Sequence, residues 1–203
     1  MADRTTDEPG RAFRLQVGGD GLATLTFDAP DKSVNVFTRP VIAELDELVG
    51  ELAGRDDIRC LVLLSGKSSN FIAGADVDEI ARVTDPKQIE EAAVAVQGHS
   101  TPSEPLPPPT IAAVRGTCMG GGTELSLASD YIVISDRDSV RIGLPETKLG
   151  IIPAWGGCVR MPRKVGLTAA LDIILAGKAV RTQKALKSGL GDARVPNASF
   201  GHG

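Results

Sequence analysis

Two glycine-rich segments and two glutamates hold the residue types that could do chemistry in this 203-residue chain. The first segment runs Phe71-Ile72-Ala73-Gly74-Ala75-Asp76, and the second Arg115-Gly116-Thr117-Cys118-Met119-Gly120-Gly121-Gly122-Thr123-Glu124. Each is a loop of small residues between an apolar run that reads as a buried strand and a stretch that reads as a helix, so a ligand can approach the backbone closely. The first N–H groups of a helix have no partner within it and point outward. Two such loops side by side would aim two N–H donors at one oxygen, the arrangement of an oxyanion hole. Glu124 lies in the first turn of the second helix, where the dipole favours a carboxylate. Glu146 follows Pro145 in Ile142-Gly143-Leu144-Pro145-Glu146, a strand-to-turn setting. Two carboxylates can divide the work of general acid and general base. Plainer roles compete: tight backbone packing for the triple glycine, and a solvated surface position for each glutamate, since spacing alone does not place the two together.

Other chemistries have less to work with. No Gly-Lys-Ser/Thr follows the triple glycine as a P-loop requires, and the dinucleotide pattern GxGxxG is absent. His99 and His202 are the only histidines, which leaves little for Ser-His-Asp, Cys-His or His-rich metal sites. Cys60, Cys118 and Cys158 are far apart with no CxxC pair, so neither a disulfide framework nor a zinc knuckle is indicated. Lys plus Arg is 22 against 26 for Asp plus Glu, a net charge of -4 without a long basic run, which disfavours nucleic-acid binding. No apolar run approaches the ~18 residues of a membrane-spanning helix. Met1 to Gly10 lacks a signal-peptide core, and a cytoplasmic protein is expected.

The elements that must position these residues follow from periodicity. Residues 1–12 read as a flexible tail. Phe13 to Val17 and Leu22 to Phe27 flank Gly18-Gly19-Asp20-Gly21 and predict a β-hairpin. Thr38 caps a helix starting near Pro40, with Val41, Leu45, Leu48 and Leu52 on one apolar face. Cys60 to Leu64, Ile111 to Val114, Tyr131 to Ile134 and Val140 to Ile142 read as strands, with Gly66 to Ala75 as a loop. Asp76 starts a further helix, and Pro86 to Gln97, Leu167 to Ala176 and Thr182 to Ser188 read as helices. Five prolines between Pro102 and Pro109 make a stiff connection. Alternating strands and helices predict an α/β (α+β) domain over 13–190. Residues 191–203 read as irregular and as a truncated end.

The ordered set Ala73-Gly74-Ala75-Asp76, Arg115-Gly116 through Gly120-Gly121-Gly122-Thr123-Glu124, and Gly143-Leu144-Pro145-Glu146 through Leu149-Gly150-Ile151-Ile152-Pro153 resembles the crotonase (enoyl-CoA hydratase/isomerase) superfamily. The segment Arg141 to Arg163 looks most like the hydratase module of the multifunctional α subunit of fatty-acid oxidation. The resemblance runs from about Phe13 to Leu190. It implies a spiral of repeated ββα units, assembled as trimers or dimers of trimers, and an acyl-CoA thioester as ligand. It implies that Ala75 and Gly121 N–H groups hold the thioester oxygen and that Glu124 and Glu146 are the hydratase pair, Glu124 acting on water and Glu146 on the α-carbon. No metal or redox cofactor is implied; coenzyme A enters with the substrate. Lys67 would meet a phosphate, Ala73 would let the coenzyme A run close to the backbone, and Trp155 would line the acyl pocket. Ala154 stands where a glycine is common, near the catalytic water, and keeps the N–H. By this resemblance the sequence is expected to lack the C-terminal helical segment usual in the family, and it shows no dinucleotide fingerprint of a dehydrogenase module.

Three functions follow in order: an enoyl-CoA hydratase of fatty-acid β-oxidation, a Δ3–Δ2 enoyl-CoA isomerase, and an inactive acyl-CoA-binding or subunit-interaction protein. Both glutamates favour the first, and the abrupt ending favours the last. An uncovered end of the core also predicts low stability or abnormal self-association.

Overall fold

The computed structural model describes residues 4–6, 10–82, 87, 106 and 108–200. The expected Pro86 to Gln97 helix and most of the proline-rich connection lie outside the described residues.

The described chain opens as an antiparallel meander. β1 (Arg4–Thr6) pairs with β2 (Phe13–Val17), and β2 with β3 (Leu22–Phe27), Leu15 opposite Leu25. Phe13, Leu15 and Val17 alternate inward, as do Ala23, Leu25 and Phe27. β1 falls inside the expected tail; three polar residues carry no apolar alternation by which a sequence reveals a strand. α1 (Arg39–Ala53) begins where Thr38 predicts, its hydroxyl accepting from the Val41 N–H at 3.5 Å. Val41, Leu45, Leu48 and Leu52 are buried, as their spacing demands.

A three-part unit then repeats: a strand of the larger sheet, a short strand of a second sheet, and a helix. β4 (Cys60–Ser65), β5 (Asn70–Ile72) and α2 (Val77–Arg82) form the first. β6 (Thr110–Val114), β7 (Thr117–Met119) and α3 (Gly121–Ala128) form the second. β8 (Tyr131–Ser135), β9 (Arg141–Gly143) and, after a 3-10 turn at Glu146–Leu149, α4 (Gly157–Val165) form the third. α5 (Leu167–Ile174), β10 (Ala179–Val180), α6 (Thr182–Lys187) and β11 (Ala193–Val195) follow. The larger sheet has the order β1-β2-β3-β4-β6-β8-β11, the smaller β10-β9-β7-β5. The first strands of the units step along one sheet while the second strands step along the other, all parallel. The chain therefore winds as a spiral of ββα units, the α/β architecture expected.

Further elements differ from the sequence reading. β5 and β7 lie in stretches read as loops, because three residues between glycines are too few to show a period. α4 went unread because Gly157 opens it and Pro162 interrupts it, both poor helix signals. β11 lies in the stretch read as irregular; it pairs parallel with β8 and takes its partner from far along the chain. Among the described residues no helix is long and apolar enough to cross a membrane.

Candidate active site

The two glycine loops meet at the C-terminal ends of β5 and β7. Gly74 has φ +110° and Gly120 φ +50°, conformations that a side chain resists. Space is as tight as geometry: a β-carbon on Gly74 would lie 3.2 Å from the Met119 carbonyl oxygen, and one on Gly120 3.8 Å from the Gly74 Cα. The loops thus abut. Phe37 clamps the first of them, donating its N–H to the Gly74 carbonyl at 2.9 Å and accepting the Asp76 N–H at 3.0 Å. That parallel bridge uses the neighbours of Ala75, so the Ala75 N–H itself turns away from Phe37. Gly121 is the first residue of α3, with an N–H among those that no helix carbonyl accepts.

Glu124 is buried at 3% exposure on α3. Its Oε1 accepts two backbone N–H groups, from Trp155 and Gly157, each at 2.8 Å. Burial pushes its carboxyl above the ordinary range, while the N–H groups of Gly157 and Trp155 and the charge of Arg160 pull it back down. Glu146, 9% exposed, lies beside Gly120, whose β-carbon would be 3.1 Å from Glu146 Oε1. Its Oε2 has no hydrogen-bond partner among the described residues. Burial, and less strongly the charge of Glu124, push this carboxyl up to about 7, opposed by its own backbone N–H. The environments are therefore unequal: one carboxylate is held by two donors and a cation, the other has an orphan oxygen and a carboxyl that keeps its proton near neutrality. Such a pair suits base and acid, respectively.

Gly120 joins them. Its carbonyl accepts the Glu124 N–H at 3.0 Å, and its own N–H donates to the Gly143 carbonyl at 3.0 Å. The Thr123 hydroxyl donates to the same carbonyl at 2.8 Å, tying the start of α3 to β9, the strand that leads to Glu146. Phe37 and Trp155 form a wall, with ring centroids 4.8 Å apart, and a β-carbon on Gly121 would lie 3.2 Å from the Phe37 ring.

The remaining sequence-derived residues divide. Ala73 is half-buried and donates its N–H to the Asn35 carbonyl at 2.8 Å. Ala154 and Trp155, both half-buried, lie in the turn before α4, and Trp155 holds Glu124 through its backbone. Lys67 is not brought to the glutamates: its ammonium lies 2.6 Å from Asp28 Oδ1 and donates to the Ala29 carbonyl at 2.8 Å. Its charge is thus compensated within the chain. Cys118 is buried against Thr123 and Ser126, and burial pushes its thiol up to about 11, so it remains a packing residue.

Sequence reasoning missed Asn35, Phe37, Gly157 and Arg160. The buried Asn35 amide accepts the Ala29 N–H and donates to the Phe27 and Phe71 carbonyls and the Ser65 hydroxyl, fixing the loop that carries Phe37. The Gly156-Gly157 pair was the one visible signal for the turn beneath Glu124.

Residues 18–202 match the family model described as Enoyl-CoA hydratase/isomerase. The chain is 40% identical over 186 residues to the Fatty acid oxidation complex subunit alpha of Vibrio campbellii, an overlap of 92% of this chain and 26% of that protein. The corresponding subunit of Aliivibrio fischeri is 43% identical over 190 residues, covering 92% of this chain and 27% of its own length. The chain thus spans about a quarter of the length of these curated relatives. Among solved structures, an enoyl-CoA hydratase from Bacillus anthracis superposes with a TM-score of 0.85 at 29% identity, over 94% of this chain and 72% of that one. DspI of Pseudomonas aeruginosa also reaches 0.85, at 27% identity, over 96% and 72%.

Proposed function

The chain belongs to the enoyl-CoA hydratase/isomerase family, and from that premise we propose that it adds water reversibly to trans-2-enoyl-CoA thioesters, as a step of fatty-acid β-oxidation. The observation that carries this reading is the unequal pair of buried carboxylates beside the glycine loops. The N–H groups of Ala75 and Gly121 hold the thioester oxygen and stabilise the enolate-like charge that develops on it. One such donor is worth roughly 3–4 kcal/mol in the transition state. Glu124 takes a proton from water as the hydroxide bonds to the β-carbon. Glu146 gives its proton to the α-carbon, and the carbon–carbon double bond is consumed. A proton passed from Glu124 to Glu146 restores the pair, and the reverse sequence dehydrates. The thioester and two carboxyl groups suffice for these steps, so the reading requires neither a metal nor a redox cofactor.

The reading extends to a homo-oligomer, trimer-based as in the resemblance. Leu167 and Leu171 on α5 and Leu175 at its C-cap are exposed at helical spacing, which supports it. Three free cysteines fit the reducing cytoplasm. Lys67 and Ala73 remain on the proposed path of coenzyme A, with Ala154 and Trp155 beside the acyl group.

The test is crotonyl-CoA in 18O-labelled water. Label in a 3-hydroxyacyl product supports hydration. Conversion of a 3-enoyl-CoA to the 2-enoyl isomer, with no label taken up, would put the isomerase first. Binding of acyl-CoA without turnover would put the non-catalytic reading first.

A further inference from the structure

The turn that holds Glu124 is itself held by one side chain. Arg160, in the first turns of α4, donates Nη1–H to the Trp155 carbonyl at 2.8 Å and its backbone N–H to the Gly156 carbonyl at 2.8 Å. The guanidinium thereby grips the Trp155 carbonyl, while the bond to Gly156 is the backbone bond that any residue at the start of this helix would make. The N–H groups of that turn, at Trp155 and Gly157, both point to Glu124 Oε1. Gly156, with φ +95°, completes the fit: a β-carbon there would strike Arg160 Nη1. The glycine is needed twice, for its left-handed backbone and for the room that it leaves the guanidinium. Among the described residues Arg160 forms no ion pair, so its charge is not spent on another carboxylate.

We propose that Arg160 is a positioning residue of the active site, which locks the Trp155–Gly157 turn and so fixes the Glu124 carboxylate where water is activated. Activation of water by the fixed carboxylate rests on the hydratase function proposed above. The mechanical chain from guanidinium to carbonyl to N–H to carboxylate stands by itself. Other residues of the sequence fill out the charge around Glu124: Glu146 on the 3-10 turn and the Cys158 thiol on α4, both electrostatically linked to it. Neither side chain donates to the Trp155 carbonyl, and the Cys158 thiol donates to the Pro153 carbonyl instead.

The test compares the unaltered chain with Arg160→Met and Arg160→Lys. Hydration of crotonyl-CoA is followed against pH, and emission of Trp155, the only tryptophan, is titrated in parallel. Arg160→Met should lower kcat about 10- to 100-fold, the scale of a misplaced catalytic group, with KM changed less than about twofold. Loss of the cation favours the protonated form of Glu124, so the acid limb of the rate profile should move to higher pH. The Trp155 titration should move the same way. Arg160→Lys, which keeps the charge and one donor, should recover most of both. Should Arg160→Met fail to fold, Arg160→Gln removes the charge while leaving a donor, and the same upward shift is required of it. A loss of melting temperature with no shift in either profile overturns the proposal, because packing alone would produce that. If the unaltered chain hydrates nothing, the functional reading fails, and the Trp155 titration still decides the role of Arg160.

Discussion

Gly157 and Glu124 approach so closely that nothing larger than glycine fits between them: a β-carbon at position 157 would lie 2.9 Å from Glu124 Oε1. The N–H of the same glycine donates to that oxygen at 2.8 Å. Gly157→Ala should therefore push the carboxylate off its donors while leaving the helix formed. Turnover of crotonyl-CoA should fall about 100-fold, with helical content by circular dichroism unchanged. Full activity would mean that Glu124 tolerates a looser seat than its two short bonds suggest.

Glu124→Gln keeps an oxygen for the Trp155 and Gly157 N–H groups and loses only the ability to take a proton. Glu146→Gln loses the proton donor. Each should cut hydration by about 10²–10⁴-fold with the fold intact, because acid and base act in the transition state. With a 3-enoyl-CoA, any isomerisation should suffer more from Glu146→Gln than from Glu124→Gln. Near-full turnover in either variant removes that carboxylate from its role.

How much of this site is legible from sequence depends on whether a residue works through its own chain neighbours. Thr38 at the cap of α1 and the buried Val41, Leu45, Leu48 and Leu52 follow from local spacing. So does the start of α3 at the triple glycine. Glu124 and Glu146 are visible as residue types, but their difference is not: it arises from backbone N–H groups 31 and 33 residues away and from an oxygen left without a partner. Lys67 is visible as a cation, but its pairing with Asp28, in the loop after β3, is not. Asn35 gives no local signal, because its partners come from three different strands and the loop between them.

Gly121 presses on the aromatic wall rather than on open space. A methyl group there would lie 3.2 Å from the Phe37 ring and 3.3 Å from Trp155. Gly121→Ala should shift Trp155 emission before any ligand is added, and should weaken acyl-CoA binding as the wall moves. Unchanged emission and unchanged affinity together would show that the rings yield freely, and would leave the triple glycine a packing feature.

Asn35 tests the scaffold. Asn35→Ala strands the buried Ala29 N–H and removes one donor each from the Phe71 carbonyl and from the Phe27 carbonyl, which keeps the Gly66 N–H, at a cost of about 2–4 kcal/mol. Asn35→Asp should cost more, because a carboxylate would face those carbonyls with no donor to offer. Urea unfolding measures both. The opposite ranking would mean that the loop repacks around the lost amide.

The carboxyl of Glu146 should make both catalysis and stability depend on pH in a predictable direction. Burial raises it from the ordinary 4.5 to about 7 in the folded chain. Folding therefore favours its protonated form: this contribution is complete below about pH 4.5 and is lost as pH rises through about 7. The loss is on the order of 3 kcal/mol, at about 1.4 kcal/mol per unit. Glu146→Gln cannot ionise, so its stability relative to the unaltered chain should climb across that window and level off above it. Glu124→Gln removes the neighbouring negative charge, so it should draw the Glu146 carboxyl down and narrow the window from its upper end. The hydration rate should fall through the same upper pH as the acid loses its proton. Urea midpoints measured between pH 4 and 9, with the rate profile alongside, check all three. A stability difference between Glu146→Gln and the unaltered chain that does not vary with pH would mean that Glu146 ionises as freely in the fold as in water, and the assignment of Glu146 as the acid would fall with it.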